Sequence, residues 1–190
     1  MAFLIRRLAR AATLLAAVLA AIEIAPAESP SEPAPAPPLE SQVRAAFVYN
    51  FAKFIDWPQS VSMTPDGVFV IGVLGDTPVL AALHALSGQE VKGRRLVVRQ
   101  YQRPSEAACQ VLYVGAGQIH AFAEAARSFR ELPILTVGEG DEFLKAGGMI
   151  ALVQIEGRVR YRIRAEPAET ARLVISSKLL KLAERPAEQR

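Results

Sequence analysis

Cysteine and histidine are nearly missing from this chain, which holds Cys109, His84 and His120 and no others. One thiol cannot close an internal disulfide, and three such residues are too few for a His/Cys zinc site, so disulfide scaffolds and zinc folds are both excluded. Charge of one sign is scarce as well: 22 Lys and Arg face 19 Asp and Glu, and 51% of the residues are hydrophobic, which excludes an acidic disordered chain. No serine or cysteine stands in a pattern with His and a carboxylate that would make a nucleophile. Ser176-Ser177-Lys178 lies between Ile175 and Leu179-Leu180 and reads as a helix cap. The acidic group Glu139, Asp141 and Glu142 reads as a solvated turn or helix start, not a cation site. Neither an enzyme nor a metalloprotein is therefore expected, and 190 residues give room for one domain.

The segment that begins the chain reads as an address. Basic MAFLIRRLAR precedes AATLLAAVLAAI, and Ala25 and Ala27 form an A-x-A site, the order of a secretory signal over residues 1–27 with cleavage after Ala27. Its apolar run of about twelve residues is shorter than the roughly twenty that cross a hydrocarbon core, and no Cys follows the break to take a lipid. Loss of Arg6, Arg7, Arg10 and Glu23 leaves 19 basic against 18 acidic residues. A chain so near neutrality lacks the positive field that nucleic acids reward, and no nucleic-acid partner is expected.

Residues 28–38, ESPSEPAPAPP, form a proline-rich linker that cannot pack a core. From Leu39 a helical spacing sets in, with Val43, Phe47, Asn50, Phe51 and Phe54 on one side, ending at Trp57-Pro58. This places Asn50 among apolar neighbours, where a buried amide bonded to backbone is expected. Next come alternating strands and helices. Strands are expected at 68–74, 95–101, 110–114 and 133–137, with helices from the Asp76 or Thr77 cap to about Leu86, from Gln118 to Arg130 and from Asp141 to Ala146, and a helical turn at Pro104. MIALVQI (149–155) and RVRYRI (158–163) flank Glu156-Gly157 as a hairpin. Pro167 to Glu184 is expected to be helical, divided at Ser176-Ser177 if the serines restart it. The pattern predicts a three-layer α/β fold, a mainly parallel sheet flanked by helices with a C-terminal antiparallel hairpin. Residues 39–184 form the single domain, and 185–190 a flexible tail.

Three features concern recognition. Arg158, Arg160 and Arg162 alternate with Val159 and Tyr161 on the last strand and share one face, a solvated edge or a contact surface for an acidic partner. Gly75-Asp76-Thr77 and Gly115-Ala116-Gly117 follow strands, where α/β sheets bind ligands, and make a small-ligand receptor the alternative function. The second loop matches a dinucleotide fingerprint poorly, because His120 stands at the third glycine, and no cofactor is expected. Cys109, before an apolar strand, reads as a packed thiol, with an intermolecular disulfide and a reactive thiol as the alternatives.

VRAAFVYNFAKFIDWP (43–58), GGMIALVQIEGRVRYRI (147–163) and LVISSKLLKLAE (173–184) together resemble, in order, the opening helix, closing hairpin and terminal helix of YfiR-like periplasmic proteins. The resemblance covers Leu39 to Glu184. It implies a periplasmic, non-enzymatic negative regulator that binds the periplasmic domain of an inner-membrane diguanylate cyclase, lowering cyclic-di-GMP signalling and biofilm formation. It further implies sequestration by an outer-membrane, peptidoglycan-associated lipoprotein, homodimers, and a response to envelope or redox stress. The best-known member has disulfide-forming cysteines, which Cys109 alone cannot reproduce. Arg164 and Arg172 stand where the resemblance leads one to expect Asn and Gly.

Overall fold

Strands buried on both faces need side chains apolar at every position, and the run FVIGVL supplies them. It forms β2 (Phe69–Leu74), whose six residues are all buried. The computed structural model describes residues 36–58 and 67–185. The expected signal segment, most of the proline-rich linker and residues 186–190 of the tail lie outside them. The unit beginning at Ala36 is built on a seven-stranded sheet. Helix α1 (Leu39–Phe54) and the two-residue strand β1 (Ile55–Asp56) precede β2. Helix α2 (Pro78–His84), β3 (Glu90–Val91) and β4 (Arg94–Tyr101) follow it. A 3-10 turn at Pro104–Glu106 leads to β5 (Val111–Val114), and another at Ala116–Gln118 to α3 (Ile119–Phe129). Then come β6 (Leu135–Glu139), α4 (Gly140–Lys145), β7 (Ile150–Ile155) and β8 (Arg158–Ile163). The described chain ends with α5 (Ala165–Thr170), β9 (Val174–Ile175) and α6 (Ser177–Leu182).

The strand order is β3-β4-β2-β5-β6-β7-β8. Strands β4, β2, β5, β6 and β7 run parallel, while β3 and β8 pair antiparallel at the two edges. The expected three-layer fold is thus present, with the hairpin at one edge. Both hairpins turn through two residues at positive φ: Glu156 at 51° and Gly157 at 71°, Lys92 at 52° and Gly93 at 74°. That conformation follows the twist of paired strands. Thr77 caps α2 by accepting from Val79 N.

Alternation of side chains divides the sheet into two packed faces. Phe69, Ile71 and Val73 of β2, with Val111 and Tyr113 of β5, meet α1 and α2; Val70, Leu74, Leu112 and Val114 meet α3 and α4. On the second face Phe122, Phe129 and Phe143 pack ring against ring. Phe143 also packs closely against two glycines: a Cβ added at Gly138 would fall 2.5 Å from its ring, and one at Gly148 2.2 Å.

Three expectations need correction. Asn50 is exposed, not a core amide. The sheet takes the face of α1 that carries Ser41, Ala45, Val48, Phe51 and Ala52, because small residues let the helix approach closely, and this leaves Val43 and Phe54 partly exposed. Helix α1 ends at Phe54 because β1 leaves the helix to pair with β9, Ile55 against Ile175 and Asp56 against Val174. The stretch 167–184 is accordingly two short helices around a strand, with Ser176 capping α6 by accepting from Leu179 N at 3.3 Å. Arg172 itself adopts φ 59°, the left-handed conformation suited to the glycine that the resemblance places there.

Replacing Gly148 by Ala is expected to destabilise the fold by about 1–3 kcal/mol through overpacking against Phe143. Gly117→Ala, which meets nothing within 4 Å, is expected to stay within about 0.5 kcal/mol of the parent. Urea midpoints measured on both variants check this.

Candidate functional site

In an open α/β sheet, ligands favour the crevice beyond the strand ends where neighbouring connections diverge. Here that place lies between β2 and β5, since the chain passes from β2 to β4 on one side and reaches β5 on the other. Both glycine loops are there. Gly115 N donates to Leu74 O at 3.2 Å, and a Cβ on Gly115 would lie 3.5 Å from Thr77 Cβ. The crevice is narrowed from within. The side chain of Gln118 covers Gly75, φ 82°, so closely that a Cβ there would sit 2.4 Å from Gln118 Cγ. Gln100 Nε2 ties down the Gly75 carbonyl at 3.0 Å. Asp76 and Gly117 remain exposed. Backbone and amide contacts therefore join these loops, and the oxygen of Thr77 serves the helix cap.

A polar network lies at the C-terminal ends of β5, β6 and β7, under α1. Tyr113 is fully buried and its hydroxyl donates to Glu139. The other carboxylate oxygen of Glu139 forms an ion pair with Arg44 of α1, and Arg44 also binds Glu40 one turn earlier. Gln154 of β7 donates to Glu40 Oε1 at 2.7 Å. Burial raises the Tyr113 pKa, and the hydrogen bond to Glu139 and its charge raise it further, so the phenol stays protonated. Burial disfavours the charged form of Arg44, but its hydrogen bond to Glu40 and the charges of Glu139 and Glu40 outweigh this and keep it cationic. Glu40, held by hydrogen bonds from Arg44 and Gln154, has its pKa lowered. Sequence reasoning placed Glu139 in a solvated turn and missed the network, whose five members come from four elements.

The arginine strand is less uniform than its alternation suggests. Arg158, Arg160 and Arg162 do share a face, opposite Val159, Tyr161 and Ile163, which pack on the α1 side. Arg162 is engaged, its Nη1 donating to Asp141 Oδ1 at 2.6 Å with its side chain largely buried. Arg160 stands 3.8 Å from Glu184, and both are about half exposed. Arg158 is exposed and has no ion pair among the described residues. Arg164 turns away, donating to Leu144 O at 3.0 Å and to Glu166. The exposed cationic surface thus narrows to Arg158 and Arg160.

Cys109 is buried against Gly72 and Tyr101, and burial pushes its thiol up to about 12. This geometry favours the packed thiol over a disulfide with another chain.

A family model described as YfiR/HmsC-like matches residues 41–184. No curated protein matches the chain.

Two outcomes are expected. Arg44→Met leaves Glu139 and Glu40 facing each other without their shared cation and should cost about 1–3 kcal/mol, with α1 amides losing more hydrogen-exchange protection than those of β2. Cys109 should resist a thiol reagent at pH 8 until the chain is unfolded. An unfolded thiol ionises near 9 and the folded one near 12, so the contribution of Cys109 is fully present below pH 9 and is lost towards pH 12. Unfolding free energies from pH 8 to 11 should fall less steeply in Cys109→Ala than in the parent.

Proposed function

Because this chain belongs to the YfiR/HmsC-like family, we propose that it is a periplasmic, non-enzymatic regulator that binds the periplasmic domain of an inner-membrane diguanylate cyclase. Binding represses the cyclase, lowering cyclic-di-GMP signalling and biofilm formation. The observation that carries a binding role is the exposed pair Arg158 and Arg160 on a strand at the edge of the sheet. An edge strand offers unpaired backbone groups, and guanidinium groups beside it favour an acidic partner. Export through the segment 1–27 puts the protein in the compartment where a cyclase's sensor domain lies. An outer-membrane, peptidoglycan-associated lipoprotein would compete for the regulator, which acts as a homodimer.

Repression needs only a difference in affinity. A regulator that binds the inactive form of its target about 2.7 kcal/mol more tightly than the active one shifts the equilibrium about a hundredfold. A small-ligand receptor is the weaker reading, since Gln118 lies over Gly75 in the crevice where such a ligand would lie.

Crosslinking the tagged protein in intact cells, followed by mass spectrometry of what it captures, is expected to return a membrane-bound diguanylate cyclase. The double variant Arg158→Glu/Arg160→Glu should return less than a tenth as much while keeping its circular dichroism spectrum. Arg162 is left intact because its loss would strand Asp141. Capture of only soluble or outer-membrane proteins, in cells that express such cyclases, would sink the repressor reading; undiminished capture by the variant would remove the arginine pair from it.

A further inference from the structure

The edge of β8 already carries an occupant, and it is acidic. After α6 the chain returns to the sheet, where Glu184 forms an isolated parallel bridge with Arg162. Its N–H donates to Tyr161 O at 2.8 Å, and its carboxylate reaches towards Arg160. One residue thus makes both contacts that an added acidic strand would make, a main-chain bond to the edge and a charge against the guanidinium.

In an antiparallel pair the residues of a strand point their backbone groups alternately towards the neighbour and away from it. Tyr161 presents its carbonyl outward to Glu184, so Val159, two residues earlier, presents its own N–H and C=O outward too. Arg158 and Arg160 flank it. The half of the edge covered by Glu184 and the half at Val159 therefore offer the same chemistry, and the second half holds the freer cations.

We infer that the outer edge of β8 accepts an extended acidic segment of a protein partner by strand addition, and that Glu184 is a built-in competitor for that place. The inference rests on reading the chain as a binding regulator and names the chemistry of its contact. Main-chain bonds to β8 supply attachment, and carboxylates spaced two residues apart meet Arg158 and Arg160. The partner displaces one exposed ion pair and one backbone bond, a small barrier that a longer strand overcomes.

The test uses a fluorescein-labelled peptide alternating Glu and Val over eight residues, titrated with the mature protein by anisotropy. Two control peptides accompany it, one with Lys for every Glu and one with alternate amides N-methylated. The acidic peptide should bind, and both controls should bind at least about tenfold more weakly, a step of about 1.4 kcal/mol. Glu184→Gln should tighten the acidic peptide about two- to fivefold, the range that loss of one competing exposed ion pair supports. Equal binding of the N-methylated peptide, equal binding of the Lys peptide, no effect of Glu184→Gln, or no binding of the acidic peptide would each overturn strand addition with Glu184 as competitor. A cyclase captured in cells without peptide binding would overturn the edge and leave the regulator standing. Peptide binding with no cyclase captured would do the reverse.

Discussion

A sheet whose inner strands are apolar on both sides must be covered twice, and that requirement shapes the molecule. Strands β2 and β5 have no exposed residue, so water has to be excluded above and below them. Helices α3 and α4 meet the need on one side with stacked phenylalanines. On the other side α1 does most of it, laying Ala45, Val48, Phe51 and Ala52 against the sheet. Burial of this kind is non-directional and would permit the helix to slide or rotate. The network of Arg44, Glu139, Tyr113, Glu40 and Gln154 supplies direction, since ion pairs and hydrogen bonds in a partly dry setting hold only in a narrow range of positions.

Tyr113 shows why a polar network sits there at all. Its place on β5 points the ring into the α1 face, where its bulk fills the core, and carries the hydroxyl, buried with the ring, to the end of the strand. A buried hydroxyl needs a partner. Glu139, at the end of the adjacent strand, provides one, and its own charge then calls for a cation from the helix above. Each polar group is thus required by the previous one, beginning with an apolar packing choice.

Much of this was legible in the sequence. Apolar runs such as VFVIGVL and VLYV announce inner strands through their short length and β-branched residues, which set them apart from a buried helix, and Glu156-Gly157 announces the hairpin through the φ values such a turn demands. The family resemblance over Leu39 to Glu184 agrees with the matched span 41–184. Other features were hidden for physical reasons. Residues 55–56 and 174–175 make strands too short to show a period, and each exists only because the other is there. The network joins Glu40 and Arg44 of one helix to single residues at 113, 139 and 154, so no local motif can reveal the whole of it. Helical spacing placed Asn50 with Val43, Phe47 and Phe54, but spacing defines a stripe without saying which stripe faces the sheet. The arginine alternation was visible, while its division into an engaged Arg162 and an exposed Arg158 depended on where Asp141 came to lie.

The pairing of β1 with β9, together with the return of Glu184 to β8, has a bearing on how the chain reaches its folded form. The strand pairing joins residues about 120 positions apart in sequence, among the most distant in contact, whereas Glu184 lies 22 positions from Arg162. During synthesis the C-terminal strand is the last to emerge, so α1 cannot be clasped in place until nearly the whole domain has been made. Contacts of such long range form slowly. The architecture thereby delays its own closure, locking the helix over the sheet only at the end.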